Sequence, residues 1–169
     1  LAKIISAMKL EVAYMPASES EVLISSADIN RPGLQLAGFF DYFDNQRVQL
    51  IGKSEMAYLN QLTAEQEEQV MERYMAANPV AVIQTRGNQP SAIMLDKAQK
   101  YGVPLLITDT TTTSFAASLT AYLNIELAPR ITRHGVLVEV YGEGVLLLGD
   151  SGVGKSEAAI ELVKRGHRL

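Results

Sequence analysis

Residues 144–156 read Gly-Val-Leu-Leu-Leu-Gly-Asp-Ser-Gly-Val-Gly-Lys-Ser, a short apolar run that leads into a glycine-rich loop. The loop fits the pattern G-x-x-x-x-G-K-[ST] of phosphate-binding loops. Glycines let consecutive backbone N–H groups turn inward around a polyphosphate. The sequence therefore predicts a nucleotide- or phosphate-binding site made of eight consecutive residues, Gly149, Asp150, Ser151, Gly152, Val153, Gly154, Lys155 and Ser156.

The residues on either side of the loop support this interpretation over a glycine-rich turn that binds nothing. Residues 144–148 are typical of a short buried strand, and residues 157–165 have helical spacing. Gly166 supplies a stop signal for that helix. In such a site Lys155 reaches the β and γ phosphate oxygens, and the hydroxyl of Ser156 ligates the Mg²⁺ that bridges them.

A second strand candidate, residues 135–140, precedes the loop strand and is joined to it by a short link that contains two glycines. A link of this kind favours an antiparallel hairpin. His134 stands directly before this hairpin. A lone histidine at a strand start is more often structural than catalytic, so the residues alone leave both roles open.

The first 128 residues alternate between strand and helix patterns, which predicts a small α/β domain with a mostly parallel sheet. Thr63 and Gln66 form a capping-box pattern, and Ser54 is the expected N-cap of the helix before it. The aromatic residues at 39, 40, 42 and 43 are expected in the core. Strands are predicted at 10–14, 47–51, 80–85 and 104–107, and helices at 54–62, 63–77, 90–101 and 115–127.

The sequence Ala128-Pro129-Arg130 is the best candidate for a domain boundary, because a proline disfavours helix at the residue before it. We expect an amino-terminal α/β domain over residues 1–128. Residues 129–169 are then expected to begin a second domain that contains the hairpin, the phosphate loop and its helix.

Composition narrows the class of protein. Of the 169 residues, 47% are hydrophobic, which suffices for a packed core. The net charge of −4 and the lack of basic runs argue against a nucleic-acid partner. The absence of cysteine excludes disulfides and fits a cytoplasmic protein. No apolar stretch approaches the ~20 residues of a membrane span, so no membrane partner is expected.

Residues 133–157 and 161–169, taken together, closely resemble the HPr kinase/phosphorylase family. Residues 27–34 and the aromatic group at 39–43 resemble the amino-terminal domain of that family, so the resemblance covers essentially the whole chain. It implies a bifunctional bacterial enzyme of carbon catabolite control. This enzyme phosphorylates a serine of the phosphocarrier protein HPr with ATP or pyrophosphate, and removes the phosphoryl group again by phosphorolysis.

The resemblance also implies roles for particular residues. His134 and Lys155 are the active-site residues, residues 149–156 bind the nucleotide or pyrophosphate, and Ser156 binds Mg²⁺. The first domain has a regulatory or assembly role in a homo-oligomer, a hexamer by resemblance. The family's aspartate, a second metal ligand and a carboxy-terminal loop are expected beyond Leu169. Because the aspartate and the second metal ligand are absent, we expect residues 1–169 to be inactive alone. The chain starts at Leu1 without a methionine, so we also expect a few residues to be missing at the front.

Two other functions stay open at this point. The chain is a non-catalytic regulatory or oligomerisation module in one of them, and a generic P-loop ATPase in the other. Phosphorylation of HPr separates the family's activity from both.

Overall fold

A computed structural model describes all 169 residues of the chain. Residues Leu1–Ala128 and Pro129–Leu169 form two compact units. No helix in either unit is both long enough and apolar enough to cross a membrane.

The first unit is built on a five-stranded sheet with the strand order β1-β5-β4-β3-β2. Neighbouring strands from β2 to β5 pair in parallel, whereas β1 runs antiparallel to β5 at the edge. The α/β fold with a mostly parallel sheet is thus confirmed. The strands are β1 Glu11–Tyr14, β2 Ile29–Asn30, β3 Val48–Ile51, β4 Val82–Gln84 and β5 Leu105–Ile107.

Six helices accompany this sheet, and three of them are longer than seven residues. Three elements of the unit, α1, α2 and β2, were not predicted from the sequence. The helices are α1 Ala2–Met8, α2 Gly33–Leu36, α3 Lys53–Leu59, α4 Ala64–Ala76, α5 Ala92–Tyr101 and α6 Thr112–Glu126.

Both faces of the sheet are buried, because side chains of a strand point alternately to its two faces. On one face Ile51, Val82 and Leu105 belong to a core that includes residues of α4 and α5. On the other face Val48, Leu50, Ile83 and Leu106 pack with Phe115, Leu119 and Leu123 of α6. Strands covered on both sides read as continuous apolar runs, which explains the composition of β3, β4 and β5.

The start of α3 differs from the prediction. The N-cap is Gly52 and not Ser54, because β3 ends at Ile51 and the helix begins at Lys53 without an intervening loop. The buried carboxylate of Glu55 accepts a hydrogen bond of 2.9 Å from the backbone N–H of Gly52 and a second of 2.8 Å from Arg31. The predicted capping box of α4 is confirmed by the reciprocal hydrogen bonds of Thr63 and Gln66.

The predicted burial of the aromatic residues at 39, 40, 42 and 43 is only partly confirmed. Phe40 and Phe43 pack against the first core as expected. Phe39 is half exposed and Tyr42 is fully exposed, so these two were wrongly assigned to the core. The segment forms neither a strand nor a helix, so no regular period puts all four side chains on one buried face, and Tyr42 has a positive φ of 61°.

The second unit consists of an antiparallel hairpin and one helix. Strands β6 Gly135–Val140 and β7 Glu143–Leu148 are joined by Tyr141 and Gly142, and α7 covers Lys155–Lys164. Both turn residues have positive φ, as the tightest hairpin turns require. The hairpin, loop and helix therefore form in the predicted order.

The helix packs on the hairpin through a small buried contact. Val138 of β6 and Ala159 of α7 are the fully buried apolar residues of this unit. After α7 the chain returns to β6, where the backbone of Arg168 exchanges hydrogen bonds of 2.7 and 3.2 Å with Glu139 in antiparallel fashion. The chain beyond α7 thus begins to add a third strand to the hairpin.

Candidate phosphate-binding site

The glycine-rich loop joins β7 to α7 and has the backbone shape that its glycines permit. Gly152 and Gly154 have φ values of 85° and 89°, a left-handed conformation that other residues rarely adopt. Gly154 is the N-cap of α7, and no side chain caps the helix. The first N–H groups of the helix are therefore not satisfied by a side chain and are free to bind an anion.

The side chain of Lys155 folds back over the loop. Its Nζ donates hydrogen bonds of 2.7 Å to the carbonyl oxygen of Gly149 and 2.5 Å to that of Asp150. These two contacts hold the ammonium group at the mouth of the loop. A positive charge fixed there by neutral carbonyls attracts the phosphate oxygens of a bound ligand.

A cavity of about 610 Å³ opens above the loop. Two of its lining residues are Gly135, the first residue of β6, and His134 directly before it, and the others come from the loop and α7. They meet because Gly135 pairs with Leu148, which puts the start of β6 at the same end of the hairpin as the loop. The cavity is lined by His134, Gly135, Ser151, Gly152, Gly154, Lys155, Ser156 and Glu157.

The other three residues of the predicted site support the loop instead of lining the cavity. Gly149 and Asp150 supply the carbonyl groups that accept from Lys155. Val153 is mostly exposed, and its Cγ2 lies 2.9 Å from the position that a Cβ on Gly149 would take. The structure thus divides the eight residues into five that face the cavity and three that shape the loop.

Gly135 is a member of the cavity that the sequence did not single out. A Cβ at this position would lie 2.8 Å from the carbonyl oxygen of Leu147 and 2.9 Å from a methyl group of Leu146. Only glycine fits such a close approach of two strands. The available signal was a glycine at the first position of a strand, next to the histidine already under consideration.

The donor atoms near the loop fit a magnesium ion that is shared with phosphate. Ser156 and Glu157, at the start of α7, offer a hydroxyl and a carboxylate, and magnesium prefers such oxygen ligands. Nowhere in the chain do three or more His, Asp or Glu side chains converge on one point. The protein therefore offers few ligands, and a magnesium ion here would depend on phosphate oxygens and water for the rest.

Comparison with known protein families shows what the chain is related to. Residues 1–123 match the family described as HPr Serine kinase N terminus, and residues 125–169 match the HPr Serine kinase C-terminal domain. The chain belongs to the HPr kinase/phosphorylase family. The resemblance inferred from the loop, the hairpin and the amino-terminal segment is confirmed.

Curated relatives carry the same name. HPr kinase/phosphorylase of Caldicellulosiruptor bescii is 54% identical over 99% of this chain, which corresponds to 54% of that protein. The proteins of Lachnoclostridium phytofermentans and Latilactobacillus sakei are 47% and 42% identical over 100% and 99% of the chain, and 55% and 53% of their lengths are covered. The chain thus spans about half the length of these relatives.

A solved structure shares the fold of part of the chain. It contains the CBS and DRTGG domains of the regulatory region of Clostridium perfringens pyrophosphatase, complexed with the activator diadenosine tetraphosphate. The TM-score is 0.51 at 15% sequence identity, over 71% of this chain and 45% of that one. At this identity the likeness concerns the fold alone.

Proposed function

We propose that the complete polypeptide carrying this sequence is a bifunctional HPr kinase/phosphorylase. It transfers a phosphoryl group from ATP or pyrophosphate to a serine of HPr, and removes that group by attack of inorganic phosphate. The observation that carries the proposal is that His134 and Lys155, which come from different elements, line one cavity above a phosphate-binding loop.

The loop, Lys155, Ser156 and His134 have different tasks in this reaction. The loop amides and Lys155 hold the phosphate oxygens and offset the charge on the transferred group, which is the main demand of a loose phosphoryl-transfer transition state. Ser156 would hold Mg²⁺, and the ion would supply further neutralisation of phosphate charge. His134, which lines the same cavity, contacts the phosphoryl group or the attacking phosphate. One site then serves both directions, because phosphate and the serine hydroxyl attack the same centre.

The path of the chain after α7 supports the position expected for the family's aspartate. The antiparallel pairing of Arg168 with Glu139 directs the following residues along β6 towards its first residue. A strand that continues in this register reaches Gly135 after about four more residues, since antiparallel partners move in opposite directions. An acid just past Leu169 would therefore arrive beside the cavity, where it can accept the serine proton.

We also propose a regulatory or assembly role for residues 1–128, which contain no phosphate loop. The fold shared with part of the regulatory region of another enzyme supports this proposal. The homohexamer and the use of pyrophosphate stay predictions from the resemblance, and the cytoplasmic location stays a prediction from the absence of cysteine.

Two reactions test the function. The complete polypeptide is incubated with HPr, ATP and Mg²⁺, and mass spectrometry of HPr should show one added phosphoryl group on a serine. Addition of inorganic phosphate to the purified product should remove that group and release pyrophosphate. Hydrolysis of ATP without modification of HPr would instead favour a generic P-loop ATPase, and binding without any turnover a regulatory module.

A further inference from the structure

Glu157 is an acidic residue in a cavity that otherwise suits an anion. It belongs to the first turn of α7 and lines the cavity together with Lys155 and Ser156. Its Oε2 lies beside the loop, 3.7 Å from the position that a Cβ on Gly154 would take. The carboxylate is exposed and makes no hydrogen bond or salt bridge within the protein.

The next acidic residue of the same helix behaves differently. Glu161, one turn further, forms a salt bridge of 3.2 Å with Arg165 and does not line the cavity. An acid in the first turn of a helix interacts favourably with the helix dipole, and this effect alone would account for Glu157 as a stabilising residue. The helix dipole does not explain why Glu157 lines the cavity together with Lys155 and Ser156.

A carboxylate at this place acts on the two forms of a polyphosphate in opposite ways. It repels a polyphosphate that carries no metal, because both groups are negative. It attracts the magnesium ion of a metal-loaded polyphosphate, because that ion would be bound by the neighbouring hydroxyl of Ser156. The same side chain therefore weakens the binding of one form and strengthens the binding of the other.

We propose that Glu157 makes the loop selective for metal-loaded nucleotide or pyrophosphate over the metal-free form. This inference rests on the proposed function, since it requires that the loop binds a polyphosphate with magnesium. It assigns to Glu157 a role that is separate from those of Lys155 and His134. Lys155 favours the phosphate charge in either form, whereas Glu157 distinguishes between the two.

The experiment is a calorimetric titration of ATP into the complete polypeptide at one fixed pH, once with excess Mg²⁺ and once with EDTA. The variants are Glu157→Gln, Glu157→Asp and the matched control Glu161→Gln. We expect Glu157→Gln to bind Mg²⁺-ATP more weakly and metal-free ATP more tightly. The ratio of the two affinities should fall about tenfold, within the usual range of coupling between two ligands. Glu157→Asp, which keeps the charge, and Glu161→Gln should retain the wild-type ratio.

The possible outcomes separate the inference from the function beneath it. If Glu157→Gln changes both affinities by the same factor, the residue only supports the helix and the inference is wrong. If it changes neither, the carboxylate does not act on the ligand. If the wild-type protein binds ATP in neither condition, the proposed function fails and the inference falls with it. Unfolding curves of each variant show whether a loss of affinity is a loss of fold.

Discussion

Replacement of Lys155 by alanine tests the central claim that both reactions use one phosphate site. The ammonium group makes two short hydrogen bonds to loop carbonyls, which hold it over the loop where we propose that phosphate oxygens bind. It has three N–H donors, and phosphate oxygens can replace the two carbonyl acceptors when a ligand binds. Hydrogen bonds to charged groups contribute about 1.5–3 kcal/mol each.

Loss of two such bonds in the transition state would cost about 3–6 kcal/mol. This corresponds to a fall of about 10² to 10⁴ in kcat/KM. The fold should survive, because the side chain is only partly buried and the lost bonds involve loop carbonyls that water can reach. We expect a change in the free energy of unfolding of about 1 kcal/mol.

The assay measures phosphorylation of HPr and phosphate-dependent dephosphorylation of serine-phosphorylated HPr with the same preparation. Lys164→Ala is the matched control, since Lys164 lies in the last turn of the same helix and has no partner. It should leave both rates unchanged. A Lys155→Ala protein that loses only one of the two activities would refute the idea of a shared site.

Three further predictions concern other parts of the molecule. His134→Ala should lower the rates of phosphorylation and dephosphorylation of HPr by about 10²-fold, the usual effect of losing one transition-state donor. The free energy of unfolding should change by no more than about 1 kcal/mol. A variant that unfolds easily but keeps both rates would show that the histidine is structural. Burial raises the pKa of Glu55, but hydrogen bonds from Arg31 and from backbone N–H groups outweigh it and leave this pKa below the ordinary 4.5. Glu55→Gln should therefore lower the free energy of unfolding, measured by urea denaturation, by about 1–3 kcal/mol above pH 4.5. This difference between variant and wild type should shrink as the pH falls through the lowered pKa, because the wild-type carboxylate then becomes protonated and loses its stabilising charge. Gly52→Ala should lower the free energy of unfolding by about 1–3 kcal/mol, since the new Cβ would lie 2.4 Å from Oγ1 of Thr112. Gly33→Ala is the control: its Cβ would meet no atom closer than 4.0 Å, so the same denaturation experiment should show little change.

Local sequence signals predicted much of the fold. The apolar runs of β3, β4 and β5 stood out because strands buried on both faces are continuously apolar, and the cap of α4 depended only on Thr63 and Gln66. Strand β2 has two residues and helix α2 has four, so neither is long enough to show a hydrophobic period. The antiparallel direction of β1 depends on a partner far along the chain, which no local pattern reveals.

The sequence predicted some residues of the candidate site and missed others. The phosphate loop could be found because its pattern is continuous in sequence. The residues alone left His134 between a structural and a catalytic role, and only the family resemblance favoured the catalytic one. Its approach to the loop required the register of the hairpin, in which Gly135 lies opposite Leu148. Gly135 itself was missed because its role is to leave room for a neighbouring strand.

The edge position of β1 has a consequence for the order in which the nascent protein can fold. β1 leaves the ribosome before the other strands of its sheet, yet its partner β5 follows only after roughly 100 residues, or about 5–20 s of synthesis. The β6–β7 hairpin joins neighbouring residues, and hairpins form in about 1–10 μs. Translation that stops before Leu105 would leave β1 without its partner, so such truncated products should be early targets for chaperones and proteases.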